Sequence, residues 1–256
     1  MALLKIEKLT KAYGGLVAVD KANFAIYDGQ IKALIGPNGA GKTTIFNLIT
    51  GVDKADTGSI YLKERALSGL KPHQIATLGI SRTFQNVQLF GDMTVLENIM
   101  VGRHLRTRGG FVASALRLPL VGREEAAIFE DAYRIIKFIG LKERANNLAR
   151  NLSHGERRLL EIARALATEP ELILLDEPAA GLNDQETEEL AGLIYKIRDK
   201  GITVFLVEHN MGLVMEVSDE VVVLDHGKKI AEGPPLLIQE DEQVIEAYLG
   251  REIKHA

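Results

Sequence analysis

The chain has 256 residues, of which 46% are hydrophobic and 26% charged, a length and composition that allow a buried core and exclude a disordered or fibrous protein. Because cysteine is absent, disulfides and thiolate metal sites are excluded. The formal net charge of −4 excludes a globally basic surface for nucleic acid, so an anionic ligand must be bound by a local site.

The start of the chain has the alternating apolar pattern of β-strands, at residues 4–6 and again at residues 24–26. The Asp-Gly dipeptide at residues 28–29 is typical of hairpin turns, and it leads into a further apolar segment at residues 31–35. We therefore expect antiparallel strands here, with a hairpin turn at residues 28–29.

The stretch from about residue 94 to residue 167 has helical periodicity and no strong strand signal. We expect it to form a helical subdomain inserted in the α/β core of one domain that covers residues 1–256. Within it, the segment from Arg103 to Arg123 holds five Arg and no acidic residue. This segment is either a solvated basic face or a surface for a membrane partner or anionic headgroups.

Three later segments, at residues 172–175, 203–207 and 221–224, are short and continuously apolar. Such runs are typical of parallel strands that are buried on both faces. Between the first two runs lies an amphipathic stretch with Leu190 and Ile197 on its apolar face. The sequence therefore predicts a β-α-β unit and an α/β fold class.

A glycine-rich segment follows the apolar residues 31–35 and precedes an apolar helical stretch. It fits the pattern G-x-x-x-x-G-K-[ST] and consists of Gly36, Pro37, Asn38, Gly39, Ala40, Gly41, Lys42 and Thr43. The glycines let successive backbone N–H groups point at phosphates, while Lys42 reaches the β and γ oxygens and the Thr43 hydroxyl ligates Mg²⁺. The segment therefore predicts a nucleoside triphosphate site, and an ordinary glycine turn is the weaker interpretation.

Two carboxylates, Asp176 and Glu177, follow the strand predicted at residues 172–175, at the edge where open α/β sheets bind ligands. One can hold Mg²⁺ through water, and the other can polarise an attacking water for phosphoryl transfer. The alternative, that Asp-Glu-Pro merely starts a helix, is less favoured beside a phosphate-binding loop. Gln85 and His209 also follow strand-like stretches, although either alone is more often an ordinary loop residue.

The segment from Ser153 to Glu156 opens an amphipathic helix. Its Ser-x-x-Glu pattern is a capping box, in which two side chains satisfy N–H groups at the start of the helix. A helix N-terminus with Ser and Gly at its mouth is also suited to an anion. We expect both roles for this segment.

Together these motifs resemble the ATP-binding subunit of an ABC transporter, over nearly the whole chain and in the family's order. The resemblance implies a RecA-like P-loop core with an antiparallel β subdomain and an inserted helical subdomain. It implies that ATP contacts Tyr13, which stacks on adenine, and the Walker A residues 36–43 together with Thr44. It also implies that Gln85 is a catalytic glutamine that contacts Mg²⁺ and that Asp176 is the Walker B aspartate of the metal site.

The same resemblance makes Glu177 the catalytic base and His209 the switch histidine of an ATPase. Residues 152–156 are similar to the family signature Leu-Ser-Gly-Gly-Gln, from which the third and fifth residues depart. The signature implies contacts to the opposite protomer's ATP by Ser153, His154, Gly155 and Glu156. Residues 180–183 resemble the D-loop with Asn183 in place of Asp, although Asn183 could equally be a helix N-cap.

Within this family, residues 81–86, 97–104 and 207–211 resemble the importer ATPases for branched-chain amino acids. The resemblance implies a head-to-tail dimer with itself or a related paralogue, with two ATP at the interface. It further implies polytopic permease subunits, an indirectly attached solute-binding protein and no nucleic acid. No run of about 18 apolar residues or signal peptide occurs, so we expect a peripheral protein on the cytoplasmic face of the inner membrane.

Several alternatives remain open at this point. The urea or amide importer and the lipopolysaccharide-export ATPase are the nearest rivals, because nothing in an ATPase sequence contacts the cargo. A rival of another class is a soluble ABC ATPase that acts as an assembly scaffold or on nucleic acid, which the acidic composition disfavours. A P-loop kinase or GTPase is opposed by the signature segment and by Glu177.

Overall fold

The computed structural model describes residues 1–83, 88–103 and 119–252, which form two sheets and the helices packed against them. In chain order the strands are β1 (Ala2–Tyr13), β2 (Leu16–Tyr27), β3 (Ile31–Ile35), β4 (Thr57–Leu62), β5 (Arg65–Ala66), β6 (Ile80–Arg82), β7 (Leu172–Asp176), β8 (Thr203–Val207), β9 (Glu220–Asp225) and β10 (Lys228–Gly233). The helices are α1 (Lys42–Ile49), α2 (Pro72–Thr77), α3 (Val95–Arg103), α4 (Pro119–Phe138), α5 (His154–Leu166), α6 (Asp184–Asp199), α7 (Met211–Val217), α8 (Pro235–Gln239) and α9 (Glu242–Glu252).

A four-stranded antiparallel sheet with the order β2-β1-β4-β5 contains the start of the chain. Its first hairpin turns at residues 14–15, between β1 and β2. The hairpin predicted at residues 28–29 is wrong, because β2 and β3 belong to different sheets and the turn connects them. All five residues of β3 are buried, which is typical of a parallel strand and not of a hairpin arm with one solvated face.

The second sheet has six strands in the order β10-β9-β3-β8-β7-β6. The pairs β9-β3, β3-β8, β8-β7 and β7-β6 are parallel, and only β10 runs antiparallel to its neighbour. The apolar runs at residues 172–175, 203–207 and 221–224 are therefore confirmed as parallel strands. The helix predicted between the first two is confirmed as α6.

Between residues 88 and 167, the described residues form α3, α4 and α5 with two short 3₁₀ turns, Lys142–Arg144 and Ala149–Asn151. Residues 104–118 of the predicted basic segment lie outside the described residues, so both interpretations of that segment remain predictions. Across the ranges that the structure describes, every helix is too short or too polar for a bilayer crossing.

Both faces of the six-stranded sheet are covered by apolar side chains. One cluster joins a face of this sheet to α1 and to the antiparallel sheet, and the other joins the opposite face to α3, α4, α5, α6 and α7. In β7 the side chains alternate between the clusters: Leu172 and Leu174 lie in the first, and Ile173 and Leu175 lie in the second. This double burial explains why the strand has no polar face.

A buried lysine joins the two sheets. Lys32 of β3 is fully buried, and its ammonium donates to the Ala25 carbonyl of β2 at 2.7 Å. It also donates to the carboxylates of Glu220 in β9 at 2.7 Å and Glu232 in β10 at 2.5 Å. All three ammonium donors are thus satisfied, which offsets the desolvation of the charge.

We predict that Lys32→Met lowers the free energy of unfolding by about 3 kcal/mol, because it removes the buried cation that Glu220 and Glu232 share and, among the described residues, leaves only Lys229 to pair with Glu232. The control is Lys63→Met, since the ion pair of Lys63 with Glu171 is exposed and should contribute less than about 1 kcal/mol. Urea unfolding followed by circular dichroism measures both. Equal losses for the two variants would contradict a structural role for the buried ammonium.

Candidate active site

The predicted site residues follow adjacent parallel strands of the six-stranded sheet. The glycine-rich loop follows β3, His209 follows β8, Asp176 and Glu177 lie at the end of β7, and Arg82 ends β6. Because parallel strands end at the same edge of a sheet, the fold brings these residues to one edge. Gln85 follows β6 along the chain but lies outside the described residues.

The glycine-rich loop leads from β3 directly into α1. Gly41 has a φ of 103°, and a Cβ atom there would lie 2.3 Å from the Ala18 carbonyl oxygen of β2, so only glycine fits. The Lys42 side chain is buried and donates to the carbonyl oxygens of Gly36 at 2.7 Å and Pro37 at 3.0 Å. Its ammonium therefore lies over the loop, where a phosphate would offer stronger, charged acceptors.

The loop is also clamped from outside by the turn between β9 and β10. The Gly227 amide donates to the Ala40 carbonyl at 3.0 Å, and the Asp20 amide donates to the Gly227 carbonyl at 2.8 Å. Thr43, in the first turn of α1, is exposed, and Thr44 is half-buried. The loop backbone is consequently held in place by its neighbours, while Thr43 remains accessible.

Tyr13 lies at the end of β1 with 44% of its surface exposed. Its hydroxyl donates to the Asp53 carboxylate at 2.6 Å, and the Lys11 ammonium lies 5.2 Å from its ring centre. Partial burial raises the pKa of the Tyr13 hydroxyl, and the hydrogen bond to Asp53 raises it further. The hydroxyl is thus anchored while the ring stays accessible for stacking.

Asp176 is buried at the end of β7 and is held by two residues at the end of the neighbouring segment, Arg82 and Thr83. Arg82 donates to the Oδ2 atom of Asp176 at 2.7 Å, and the backbone N–H of Asp176 donates to the Thr83 hydroxyl at 3.2 Å. Both side chains of this ion pair are almost fully buried. The carboxylate is therefore charge-compensated and fixed in orientation.

Glu177 has a left-handed backbone, with a φ of 47°, and its N–H donates to the Val207 carbonyl at 2.9 Å. This turn carries its carboxylate to 3.1 Å from the Nε2 atom of His209. A carboxylate only accepts hydrogen bonds, so the contact requires a proton on Nε2. Buried Glu208 accepts hydrogen bonds from the amides of Ala179, His209 and Asn210 and holds the two loops together.

Ser153 caps α5, and the predicted capping box is confirmed. The Ser153 hydroxyl accepts from the Glu156 amide at 3.2 Å, and the Glu156 carboxylate accepts from the Ser153 amide at 2.8 Å. The pKa of Glu156 is lowered, chiefly by the Ser153 N–H, against partial burial and with a further contribution from Arg144 at 2.9 Å. The carboxylate is thereby already engaged in the cap.

The signature turn packs against residues 180–186 of the same chain. His154 donates from Nε2 to the Ala180 carbonyl at 3.0 Å, and a Cβ atom at Gly155 would lie 2.5 Å from the Glu186 carboxylate. Asn183 is the N-cap of α6, with a capping box to Glu186. The structure therefore shows that Asn183 is a helix N-cap. The contacts of His154 and Gly155 bring the predicted signature and the predicted D-loop next to each other.

Sequence reasoning missed several residues that shape this site: Asn47, Asp53, Arg82, Thr83 and Glu208. Their contacts span large separations along the chain, such as Arg82 to Asp176, so no local pattern marks them. Arg82 could have been found from its position, because it is a basic residue in the strand that precedes the predicted metal-site glutamine. That strand ends at the same edge of the sheet as the other site residues.

The C-terminal segment covers the same edge of the sheet. A cavity of about 570 Å³ lies between α9 and the end of β3 and is lined by Ile35, Met211, Met215 and Tyr248, among others. The Tyr248 hydroxyl is buried without a hydrogen-bond partner of good geometry, and burial raises the pKa of Tyr248 to about 12 against a smaller opposing influence of the Gly36 amide.

The chain is similar to known proteins over most of its length. The ABC transporter family matches residues 19–180, and the family described as branched-chain amino acid ATP-binding cassette transporter matches residues 228–254. The high-affinity branched-chain amino acid transport ATP-binding protein LivG of Escherichia coli K12 is 45% identical over 97% of this chain and 98% of its own.

Two solved structures share the fold. The ADP conformation of MJ1267, an ATP-binding cassette of an ABC transporter, has a TM-score of 0.86 at 33% identity and covers 98% of this chain and 99% of its own. The dimeric post-hydrolysis state of the cassette MJ0796, bound to ADP and Pi, has a TM-score of 0.77 at 26% identity and covers 91% and 98%. The predicted fold class is confirmed, and the chain belongs to the ATP-binding proteins of ABC transporters, in the branched-chain amino acid transport family.

Proposed function

We propose that this chain is the ATP-binding and ATP-hydrolysing subunit of an ABC importer that powers the uptake of branched-chain or related hydrophobic amino acids through separate membrane subunits. The observation that carries the enzymatic part is the meeting of the Lys42 loop, Asp176 and the Glu177–His209 pair at one sheet edge. The cargo is supported by the near full-length similarity to LivG.

ATP binding is assigned to the loop of residues 36–43, to Thr44 and to Tyr13. The loop N–H groups and the N-terminus of α1 provide an anion site, and the Lys42 ammonium exchanges two backbone carbonyls for phosphate oxygens. The half-exposed ring of Tyr13 supplies a face for the adenine. Binding in this way requires little rearrangement, because the loop backbone is already clamped.

The residues present fit a Mg²⁺ ion. The Thr43 hydroxyl and the Asp176 carboxylate are hard oxygen donors, which this ion prefers, and Gln85 is proposed as a further contact. Mg²⁺ ordinarily takes its other ligands from phosphates and water, and when bound it neutralises charge on the phosphates. Thr43 and Asp176 would orient it, with Asp176 itself held by Arg82 and Thr83.

Hydrolysis is assigned to Glu177, His209 and Gln85. The Glu177 carboxylate can accept a proton from an attacking water, and the N–H of His209 holds one of its oxygens in a fixed position. Glu208 keeps the loops that carry both residues together. The chain therefore supplies a positioned base at the same sheet edge as the phosphate-binding loop.

The signature turn, Ser153 to Glu156, is proposed to contact the ATP of the opposite protomer in a head-to-tail dimer of this chain or of a related paralogue. A dimeric cassette among the similar structures supports this arrangement. We further propose one domain over residues 1–256, with the helical subdomain at about residues 94–167. The assembly would be peripheral, on the cytoplasmic face of the membrane, with permease subunits and an indirectly attached solute-binding protein.

We predict that Glu177→Gln binds ATP like the wild type but hydrolyses it about 10²–10⁴ times more slowly, because an amide cannot accept the proton. The amide preserves the shape of the carboxylate, so the fold should be unchanged. Steady-state phosphate release and equilibrium ATP binding measure the two properties. The control is Glu188→Gln, an exposed position on α6. Wild-type turnover in Glu177→Gln would remove this residue from the catalytic role.

We predict that Tyr13→Ala weakens ATP binding by about tenfold and leaves inorganic triphosphate binding unchanged, because base stacking contributes roughly 1–3 kcal/mol. Lys42→Ala should weaken both ligands, since it removes the charge that faces the phosphates. Competition titrations with ATP and triphosphate distinguish the two effects. An equal loss of both ligands in Tyr13→Ala would contradict stacking on the base.

We predict that mixing inactive Lys42→Ala with inactive Ser153→Asp restores ATPase activity, up to one intact site per mixed dimer. Aspartate keeps the N-cap of α5 but places a negative charge against the partner's phosphate. One site of the mixed dimer carries both changes, and the other carries neither. Ser153→Asn, which caps the helix without charge, is the matched control. Full activity of Ser153→Asp by itself would reduce the signature turn to a helix cap.

A further inference from the structure

A continuous chain of polar contacts runs from one end of the proposed nucleotide site to the other. The Tyr13 hydroxyl donates to Asp53 at 2.6 Å, and the Asn47 amide nitrogen donates weakly to the same Asp53 oxygen at 3.4 Å. The Asn47 carbonyl oxygen accepts from Arg82 at 2.7 Å, and Arg82 donates to Asp176 at 2.7 Å. The chain therefore joins the side chain proposed for the base to the carboxylate proposed for the metal.

Arg82 links the two ends of this series of polar contacts. Its two terminal nitrogens donate in different directions, one to Asn47 and one to Asp176, and its guanidinium lies 5.5 Å from the ring centre of Phe46. The side chain is 8% exposed, so water hardly competes for these contacts. A lysine would carry the same charge but has no planar fork to satisfy both directions at once.

The middle of this series of polar contacts lies on α1, the helix that begins at Lys42. Asn47 lies on α1, and its backbone carbonyl also accepts from the amides of Val52 and Asp53, which ties Asp53 to the end of the same helix. The polar contacts therefore pass along the helix behind the phosphate-binding loop. The contacts from the base end and from the metal end therefore converge on α1, the helix that follows the phosphate-binding loop.

We propose that Arg82 is a positioning residue that orients Asp176 and, through Asn47 and Asp53, couples the metal end of the site to Tyr13 at the base end. The inference rests on the proposed function, since it presumes ATP and Mg²⁺ as ligands. It adds a residue to the site that acts through Asp176. Binding at one end is then more favourable when the other end is correctly held.

The test is a double-mutant cycle on nucleotide affinity with Tyr13→Phe and Arg82→Lys, which delete the hydroxyl and the fork but keep the ring and the charge. Isothermal titration calorimetry with a non-hydrolysable ATP analogue is performed with Mg²⁺ and again with EDTA. Asn47→Ala breaks the chain at a half-buried helix position and replaces Arg82→Lys if that variant is unstable. Tyr27→Phe, at an exposed tyrosine of β2, is the matched control.

With Mg²⁺, the fold-loss of affinity in the double variant should be smaller than the product of the two single fold-losses by a factor of at least about three. The reason is that the second change acts on a series of contacts that is already broken. With EDTA, the fold-loss of the double variant should lie within about twofold of the product of the single fold-losses, because Asp176 then has no metal ion to orient. Tyr27→Phe should combine multiplicatively with Arg82→Lys under both conditions.

If the wild type binds Mg²⁺ and the analogue, but the affinity losses of Tyr13→Phe and Arg82→Lys simply multiply in the double variant, the coupling is overturned and the proposed function stays intact. Coupling that persists unchanged in EDTA would overturn the link to Asp176. A wild type that fails to bind the analogue at all would instead overturn the proposed function. The three outcomes are therefore distinguishable in one set of titrations.

Discussion

The parallel pairing of β3 with β8, β8 with β7 and β7 with β6 is the constraint on which the site depends. It aligns the carboxyl ends of four strands, so the described residues at these ends lie along one edge of the sheet. Burial on both faces favours this register, because a slip of one residue would exchange the β7 side chains between the two clusters and disturb the packing of both.

Local features of the site could be predicted from the sequence, and long-range contacts could not. The glycine-rich loop and the Ser153 cap depend on neighbours a few residues away, so their patterns are visible in the chain. The Asp-Gly dipeptide at residues 28–29 was misassigned because a turn dipeptide specifies its own backbone and not the sheet that follows. The contact of Arg82 with Asp176 spans 94 residues, and only the strand order reveals it.

Two buried cations organise the protein in different ways. Lys32 has three acceptors from three strands and ties the two sheets together. Arg82 shares its donors between α1 and β7, which are the elements that carry the phosphate-binding loop and the acidic pair. Because an unpaired buried charge is costly, each network favours one arrangement of its elements over alternatives. The first network serves the architecture, and the second lies within the site.

The left-handed backbone of Glu177 has a consequence for how this protein balances its fold against its chemistry. A non-glycine residue in that conformation stores strain, on the order of 1 kcal/mol, and glycine would remove it. A glycine would, however, leave the sheet edge without the carboxylate that faces His209. The chain therefore retains a locally unfavourable geometry directly after a fully buried strand, and the surrounding core supplies the stability that tolerates it.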